Sequence, residues 1–295
     1  MDPAPQSLRL VYILGTNFCG STLLSLVLGR HPKVESLGQM FELPTYQQEN
    51  SPCQCGEPFR TCPFWSRVLL RTGRVDSEGR LLTPLPSEVR YGGLFFRLTK
   101  MVRSAAPRDV KAYREFNQSL LAAIHEMTGR RVFVDSSKMP SRLSWLIRSE
   151  AVSAGDLRVI HLIRDGRGVV SGYKRRGRSV IRGTLAWWRR HRSISRLVER
   201  HVGDRLLRLH YEDLARNPEA TAREVCQFIG VDFDPAMLEF RSRAQHQLGG
   251  NPIRFETSQD IRLDERWRRE LTPWEKALFN RIAGRMQRRL GYSTE

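Results

Sequence analysis

No stretch of this 295-residue chain approaches the roughly 18 consecutive apolar residues of a membrane span. Its first residues, Met1-Asp2-Pro3-Ala4-Pro5-Gln6-Ser7, carry neither the basic nor the apolar segment of a secretory leader. The expectation is a soluble, cytoplasmic protein. Cysteine is scarce and odd in number, at five, which does not suit a disulfide framework. Cys53, Cys55 and Cys62 form the one cluster. A structural zinc takes four ligands, and the fourth would have to come from elsewhere, such as Cys19 or Cys226. The cluster is therefore read as small thiols packed in a loop, with no metal. Nor is there an internal repeat, a low-complexity tract or a long linker, so one domain over residues 1–295 is expected.

Lysine is the other rarity. Lys and Arg together number 49, yet lysine stands only at positions 33, 100, 111, 138, 174 and 276. The formal charge of +18 is thus carried by arginine, whose planar fork suits phosphate and carboxylate. Such a charge fits an anionic nucleotide, an acidic acceptor, nucleic acid or a membrane surface. It fits an arginine-rich solvated surface equally well.

The most telling absence is a lysine missing from a phosphate loop. Arg9 to Leu14 reads as a buried parallel strand, and Leu23 to Leu28 as an apolar helix. Between them, Gly15-Thr16-Asn17-Phe18-Cys19-Gly20-Ser21-Thr22 has the spacing of a nucleotide-binding loop. Ser21 stands where nucleoside-triphosphate enzymes place the lysine that clamps the β- and γ-phosphates. Backbone N–H groups at a helix N-terminus still suit one anionic group. A triphosphate with Mg²⁺ is poorly served, which points away from a P-loop kinase and toward sulfuryl transfer.

The order of elements suggests an α/β fold. Val34 to Gly38 is a short second strand, residues 44–65 read as irregular and 72–87 as loop. Asp109 to Met127 is a helix with Tyr113, Phe116, Leu120, Ile124 and Met127 on one face, stopped by Gly129. Strands follow over 131–135, 157–163 and 206–209, with a helix over 143–151. Asn217-Pro218-Glu219 opens a helix as cap, first residue and early acid, and Gly230 stops it. A last helix runs from Pro273 to about Leu290, with Trp274, Leu278, Ile282 and Met286 along one side. Residues 40–130 form a helical and irregular excursion on the α/β core.

A second segment carries chemistry. Val159 to Ile163 is a buried strand ending in Arg164-Asp165-Gly166-Arg167, with Ser171 in the helix that follows. Ligands of open α/β sheets bind beyond the carboxyl ends of strands, so Arg164 and the glycine loop open onto one crevice. A guanidinium with a nearby hydroxyl makes a second phosphate site.

With these segments stand Cys53-Gln54-Cys55-Gly56 through Cys62-Pro63-Phe64-Trp65, Val134-Asp135-Ser136-Ser137-Lys138 and Tyr211-Glu212-Asp213-Leu214 with Asn217-Pro218. Gly249-Gly250-Asn251-Pro252-Ile253-Arg254 and Leu290-Gly291-Tyr292 complete the set. Over nearly its whole length the chain resembles the sulfotransferases that use 3′-phosphoadenosine-5′-phosphosulfate (PAPS), in the bacterial branch related to tyrosylprotein and carbohydrate sulfotransferases. The resemblance implies a P-loop-NTPase-like parallel sheet flanked by helices, PAPS as co-substrate without a required metal, and a hydroxyl- or amine-bearing acceptor. Carbohydrate, lipid, phenol and peptide tyrosine all remain open as acceptors.

The resemblance also implies roles. Gly20, Ser21 and Thr22, with the backbone of Asn17, Phe18 and Cys19, should hold the 5′-phosphosulfate, and Arg164 and Ser171 the 3′-phosphate. Tyr211 matches a tyrosine near the nucleotide. Asn251 and Arg254 match a loop that closes over it, and Lys138 matches a lysine that supports the transferred group. Ordinary structural roles stand beside these: helix capping for Ser21 and Thr22, ion pairing of Arg164 with Asp165, a core position for Tyr211, a turn at Asn251, and a surface charge at Arg254.

Three positions depart from the family's pattern. Members usually carry an arginine where this chain has Phe18. They place the 3′-phosphate serine where this chain has Gly172, one residue beyond Ser171, and one residue turns a helical side chain by about 100°. Many follow the second strand with Gly-Glu, whose carboxylate lies near the acceptor, whereas here Gly38 is followed by Gln39. An amide takes no proton at neutral pH, so Glu42 is the nearest substitute base and Asp135 the next. His161 lies inside an apolar strand and reads as a core histidine. A competing reading is a catalytically weak nucleotide-fold protein that binds nucleic acid or an acidic polymer through residues 174–192, where arginines alternate with Trp187 and Trp188. Trp188 with Leu185 and Leu197 also fits a buried helical face.

Overall fold

The computed structural model describes residues 7–73, 75 and 106–294. Most of the loop expected over 72–87 lies outside these. Strand β1 (Arg9–Gly15) leads through the glycine loop into helix α1 (Ser21–Gly29), and β2 (Val34–Gly38) follows. A 3-10 turn, Met40–Glu42, runs into α2 (Leu43–Glu49), and α3 (Trp65–Arg71) comes after the cysteine loop. The sequence reads as irregular over residues 44–65, with Pro44, Asn50-Ser51-Pro52, the cysteine cluster and Pro58. Pro44 instead sits in the first turn of α2, where its missing N–H removes no helical hydrogen bond.

Helix α4 (Pro107–Thr128) ends at left-handed Gly129 and is followed by β3 (Val132–Lys138), α5 (Pro140–Ser149) and β4 (Leu157–Ile163). Then come α6 (Gly166–Lys174), α7 (Val180–His201), β5 (Leu206–His210), α8 (Tyr211–Arg216), α9 (Pro218–Ile229) and α10 (Pro273–Arg289). The strands form one parallel sheet in the order β2-β3-β1-β4-β5. The glycine loop therefore leaves the central strand, between β3 and β4, while Lys138 ends one neighbour and Arg164 follows the other.

Strand alternation divides the interior. Leu10, Tyr12 and Leu14 face α3, α4, α5 and the end of α7, whereas Val11 and Ile13 face α1 and α9. A third cluster joins α6, the start of α7 and α10 around Trp187 and Phe279. Two expected faces are off by one residue. On α7 it is Trp187 that is fully buried, and Trp188 is only partly covered. On α10 the buried stripe is Phe279, Ala283 and Gln287, and Trp274 is 67% exposed. Gln287 explains the second shift: its carbonyl accepts the Gly166 N–H at 3.0 Å, so a polar residue occupies the buried position. His161 is buried, and burial pushes its imidazole down to about 3, so the ring is neutral in the fold. None of the helices among the described residues is long and apolar enough to cross a membrane.

Candidate functional site

The glycine loop closes over the carboxyl end of β1. Phe18 and Gly20 both take left-handed backbone conformations, at φ 60° and 92°. The second is natural for glycine. It is also the only residue that fits, because a Cβ there would lie 2.5 Å from the Tyr211 ring. No side chain caps α1, and its first turn carries no acid, so the N–H groups of Ser21 and Thr22 meet no competing carboxylate of their own helix. Ser21 and Cys19 are buried, and Asn17 donates to the Tyr173 hydroxyl at 3.1 Å.

Arg164 holds this loop from the next strand. Its Nη1 donates to the Phe18 carbonyl at 2.9 Å, and its Nη2 to the Asp264 carbonyl at 2.7 Å. Its ion pair is with the Asp264 carboxylate, at 3.1 Å, while Asp165 pairs with Arg167. The guanidinium also stacks over Tyr211, 4.3 Å from the ring centre, and the Tyr211 hydroxyl accepts the Asp264 N–H at 3.1 Å. The Arg266 guanidinium, with Arg164, holds the Asp264 carboxyl well below the usual range. Ser171 donates to Glu270, and Arg175 donates to both, at 2.9 Å to the Ser171 hydroxyl and 2.6 Å to Glu270. The corner thus gathers Arg164, Ser171 and Arg175 with two acids. Arg175 was missed in sequence because it lies in a basic run that reads as solvated.

The departures at Phe18 and Gly172 are one feature. A Cβ on Gly172 would lie 2.8 Å from the Phe18 ring, so the ring occupies the space a serine side chain would need. Phe18 also meets Tyr173 edge-on, with 5.1 Å between ring centres, and the Arg176 guanidinium lies 4.9 Å over its face. A positive charge therefore still stands by the loop, held by a cation–π contact. We expect Gly172→Ala to destabilise the protein by about 1–3 kcal/mol through overpacking. In the double variant with Phe18→Ala most of that loss should vanish. Denaturant unfolding of the four proteins measures the coupling, and additive effects would contradict the contact.

Lys138 ends β3 beside β1, its register partner being Leu14. It is a buried lysine at φ 66°, a conformation L side chains rarely adopt. Its ammonium finds one hydrogen-bond acceptor among the described residues, the Ser136 carbonyl at 3.4 Å. Burial pushes that ammonium's pKa down, opposed by Cys19 and Glu42. Burial likewise pushes the Glu42 carboxyl up, opposed by Lys138. The two groups lie close enough for each to oppose the other's shift. Glu42 is set there by its own turn, in which its N–H donates to the Gln39 carbonyl at 2.8 Å, and by the Phe41 N–H donating to Ser137 Oγ at 3.0 Å.

Asp135, the second base considered, is committed elsewhere. One oxygen accepts the Ser137 N–H at 2.9 Å and its hydroxyl, and the other accepts Arg142 Nε at 2.6 Å. Arg142 reaches on to the Tyr113 hydroxyl at 2.8 Å and to Asn117 at 3.2 Å, all of it buried. This is a structural network.

The segment after β5 and α9 returns across the top of the sheet. Leu248 exchanges backbone hydrogen bonds with Leu37 and Gln39, at 3.0 and 2.6 Å, which extends the edge at β2. The Asn251 N–H donates to Thr22 Oγ1 at 3.1 Å, and its side chain accepts the Ile253 N–H. Arg254 turns away from α1: it donates to the Gly249 carbonyl and, at 2.7 Å, to the Tyr46 hydroxyl of α2. The basic segment 174–192 is engaged at its start. Lys174 pairs with Glu275 and Arg175 with Glu270, and Trp187 is buried, whereas Arg176, Arg178, Arg182, Arg189 and Arg192 are exposed.

Known proteins share this fold. The mouse (Mus musculus) carbohydrate sulfotransferase 5 is 27% identical over 165 residues, 46% of this chain and 42% of its own length. The chain therefore matches less than half of that relative. Among solved structures, the sulfotransferase domain of the curacin biosynthetic pathway is 17% identical, with a TM-score of 0.58 over 96% of this chain and 98% of its own. That of the Synechococcus PCC 7002 olefin synthase is 22% identical, with a TM-score of 0.57 over 97% of each chain. These likenesses establish the fold. The profile of the sulfotransferase family itself matches residues 11–235, and with that the chain belongs to the sulfotransferase family.

Proposed function

We propose that the protein moves a sulfuryl group from PAPS to a hydroxyl or amine acceptor. The observation that carries this reading is the pairing of an uncapped helix N-terminus lacking the P-loop lysine with the Arg164–Ser171–Arg175 corner beyond the neighbouring strand. One suits a single anionic group and the other a separate phosphate, which is the charge layout of a 3′-phosphorylated phosphosulfate. In this reading Gly20, Ser21 and Thr22 hold the phosphosulfate and Tyr211 packs beside it. Asn251 ties the returning segment to the loop, and Arg254 ties that segment to the acceptor side. The described parts of residues 40–130, namely 40–73, 75 and 106–130, shape the acceptor pocket, and the rest of that span lies outside the described residues. The likeness to a carbohydrate sulfotransferase gives one reason to start the acceptor series with sugars.

The protein's work in such a transfer is alignment and charge stabilisation. The acceptor oxygen attacks sulfur in line with the departing phosphate oxygen. The S–O bond to the nucleotide breaks, and the acceptor's proton passes to a carboxylate. Glu42 is suited to that role by its raised pKa and its place beside Lys138. Lys138 donates to the leaving oxygen.

The two shifts fix the pH behaviour. Glu42 must be deprotonated, so kcat/KM rises through a pKa above the ordinary carboxylate range. Lys138 must be protonated, so the rate falls through a pKa below the ordinary ammonium range. Glu42→Gln should abolish the acid limb and lower the rate by about 10²–10⁴-fold. An unchanged acid limb would remove Glu42 from the chemistry. The transfer itself is tested by following adenosine 3′,5′-bisphosphate release from PAPS across carbohydrate, lipid, phenol and tyrosine-peptide acceptors. Release that tracks acceptor sulfation supports the reading, and its absence with folded protein across all four classes overturns it.

A further inference from the structure

We propose that Cys53, Cys55, Cys62 and His246 bind one structural Zn²⁺. The three thiols were visible in sequence, but the fourth donor was sought among Cys19 and Cys226. Those two lie elsewhere, both packed in the core on the α1 and α9 side of the sheet. The fold instead delivers His246, 184 residues after Cys62.

The donor atoms already describe a coordination shell. All four lie within 4.8 Å of one another. Cys55 Sγ is 3.7 Å from Cys62 Sγ, and His246 Nδ1 is 3.4 Å from Cys62 Sγ and 3.9 Å from Cys53 Sγ. With Zn–S near 2.3 Å and Zn–N near 2.0–2.1 Å, a tetrahedron has S···S edges of about 3.8 Å and S···N edges of about 3.6 Å. The observed separations sit around those edges. A disulfide would bring two sulfurs to about 2.05 Å, and all five cysteines here are free.

Both sides of the shell are also built. Cys53 and Cys55 share a tight turn in which the Gly56 N–H donates to the Cys53 carbonyl at 3.0 Å, and the Cys62 N–H donates to the Pro58 carbonyl at 2.8 Å. The His246 ring is stacked on Phe64, at 4.9 Å and 5° between planes, and its carbonyl accepts the indole N–H of Trp65 at 2.7 Å. The imidazole is therefore oriented toward the thiols by groups that are not ligands. Sulfur-rich tetrahedral sites of this kind favour zinc over the harder cations.

Binding Zn²⁺ releases three protons as the thiols become thiolates, leaving a site of net charge −1. With every position filled by protein, the ion has no place for substrate, which marks it as structural. It would lock the loop 53–62 to the returning segment, where Gln247 bonds to Ser25 of α1 and Asn251 to Thr22. The metal would therefore stiffen the strap over the phosphate loop.

The test is elemental analysis of the full chain purified with reductant, beside intact mass under denaturing conditions. About one zinc per chain is expected. Exchange into Co²⁺ should give the charge-transfer and d–d bands of a tetrahedral thiolate site. Cys55→Ser and His246→Ala should each weaken zinc retention against a chelator by about 10-fold or more, while Cys226→Ala should keep it. Because loss of a ligand can unfold a variant, the wild-type zinc content and cobalt spectrum decide alone. Folded wild-type protein without zinc, with five titratable thiols or with a mass two daltons low from a Cys55–Cys62 disulfide, would overturn the proposal. None of these readouts depends on the sulfuryl donor.

Discussion

Lys138→Ala lowers kcat by about 10²–10³-fold while leaving bisphosphate affinity within a few-fold, if this ammonium stabilises charge on the leaving oxygen. The expectation rests on how the residue is held. The chain spends one of its six lysines here, in a left-handed backbone conformation that a large side chain normally avoids. It buries the charge beside Cys19 and Glu42, with a single long hydrogen bond to the Ser136 carbonyl among the described residues. A lysine that served only the fold would satisfy more of its three donors. Lys138→Arg should rescue little, because a planar fork does not replace a compact ammonium in a closed space. Single-turnover kinetics beside equilibrium binding separates the outcomes. Equal losses in turnover and affinity would make Lys138 a binding residue.

Arg142→Ala costs about 3–5 kcal/mol of stability, the larger of the two effects on the fold itself. The substitution strands Asp135, fully buried at the centre of β3, without its cationic partner, and frees the Tyr113 hydroxyl and Asn117 amide inside the core. The damage should reach the site as well. Asp135 positions Ser137, and Ser137 Oγ accepts the Phe41 N–H just before Glu42. Denaturant unfolding gives the stability loss. A change below about 1 kcal/mol, in the range of an exposed ion pair, would mean that the network is not doing what its burial implies.

The parts of this molecule that follow from local pattern were legible in the sequence. The loop after β1, the strand before Arg164, the face of α4 and the Gly230 stop all arise from short-range period or turn chemistry, and the structure has them. What escaped depends on distant partners. The buried stripe of α10 carries Gln287 because Gly166 offers it an N–H, a fact no hydropathy period contains. Asp135 reads as a candidate base in sequence, and only the fold brings Arg142 to its second oxygen. Phe18 and Gly172, read separately as losses, are one packing contact between the glycine loop and helix α6. His246 stands in a segment without periodicity, and only the fold brings it to the cysteines. The corner acids Asp264 and Glu270 were invisible for the same reason.

The central claim is that the two anion-binding corners take a 3′-phosphorylated adenosine nucleotide. The most direct measurement is calorimetric titration of adenosine 3′,5′-bisphosphate, beside ATP with Mg²⁺, into the wild type, Arg164→Ala and Ser171→Ala. Tight bisphosphate binding, lost in Arg164→Ala and weakened in Ser171→Ala, with ATP binding poorly, is the predicted result. A folded wild type that ignores the bisphosphate, or prefers ATP with Mg²⁺, would contradict it.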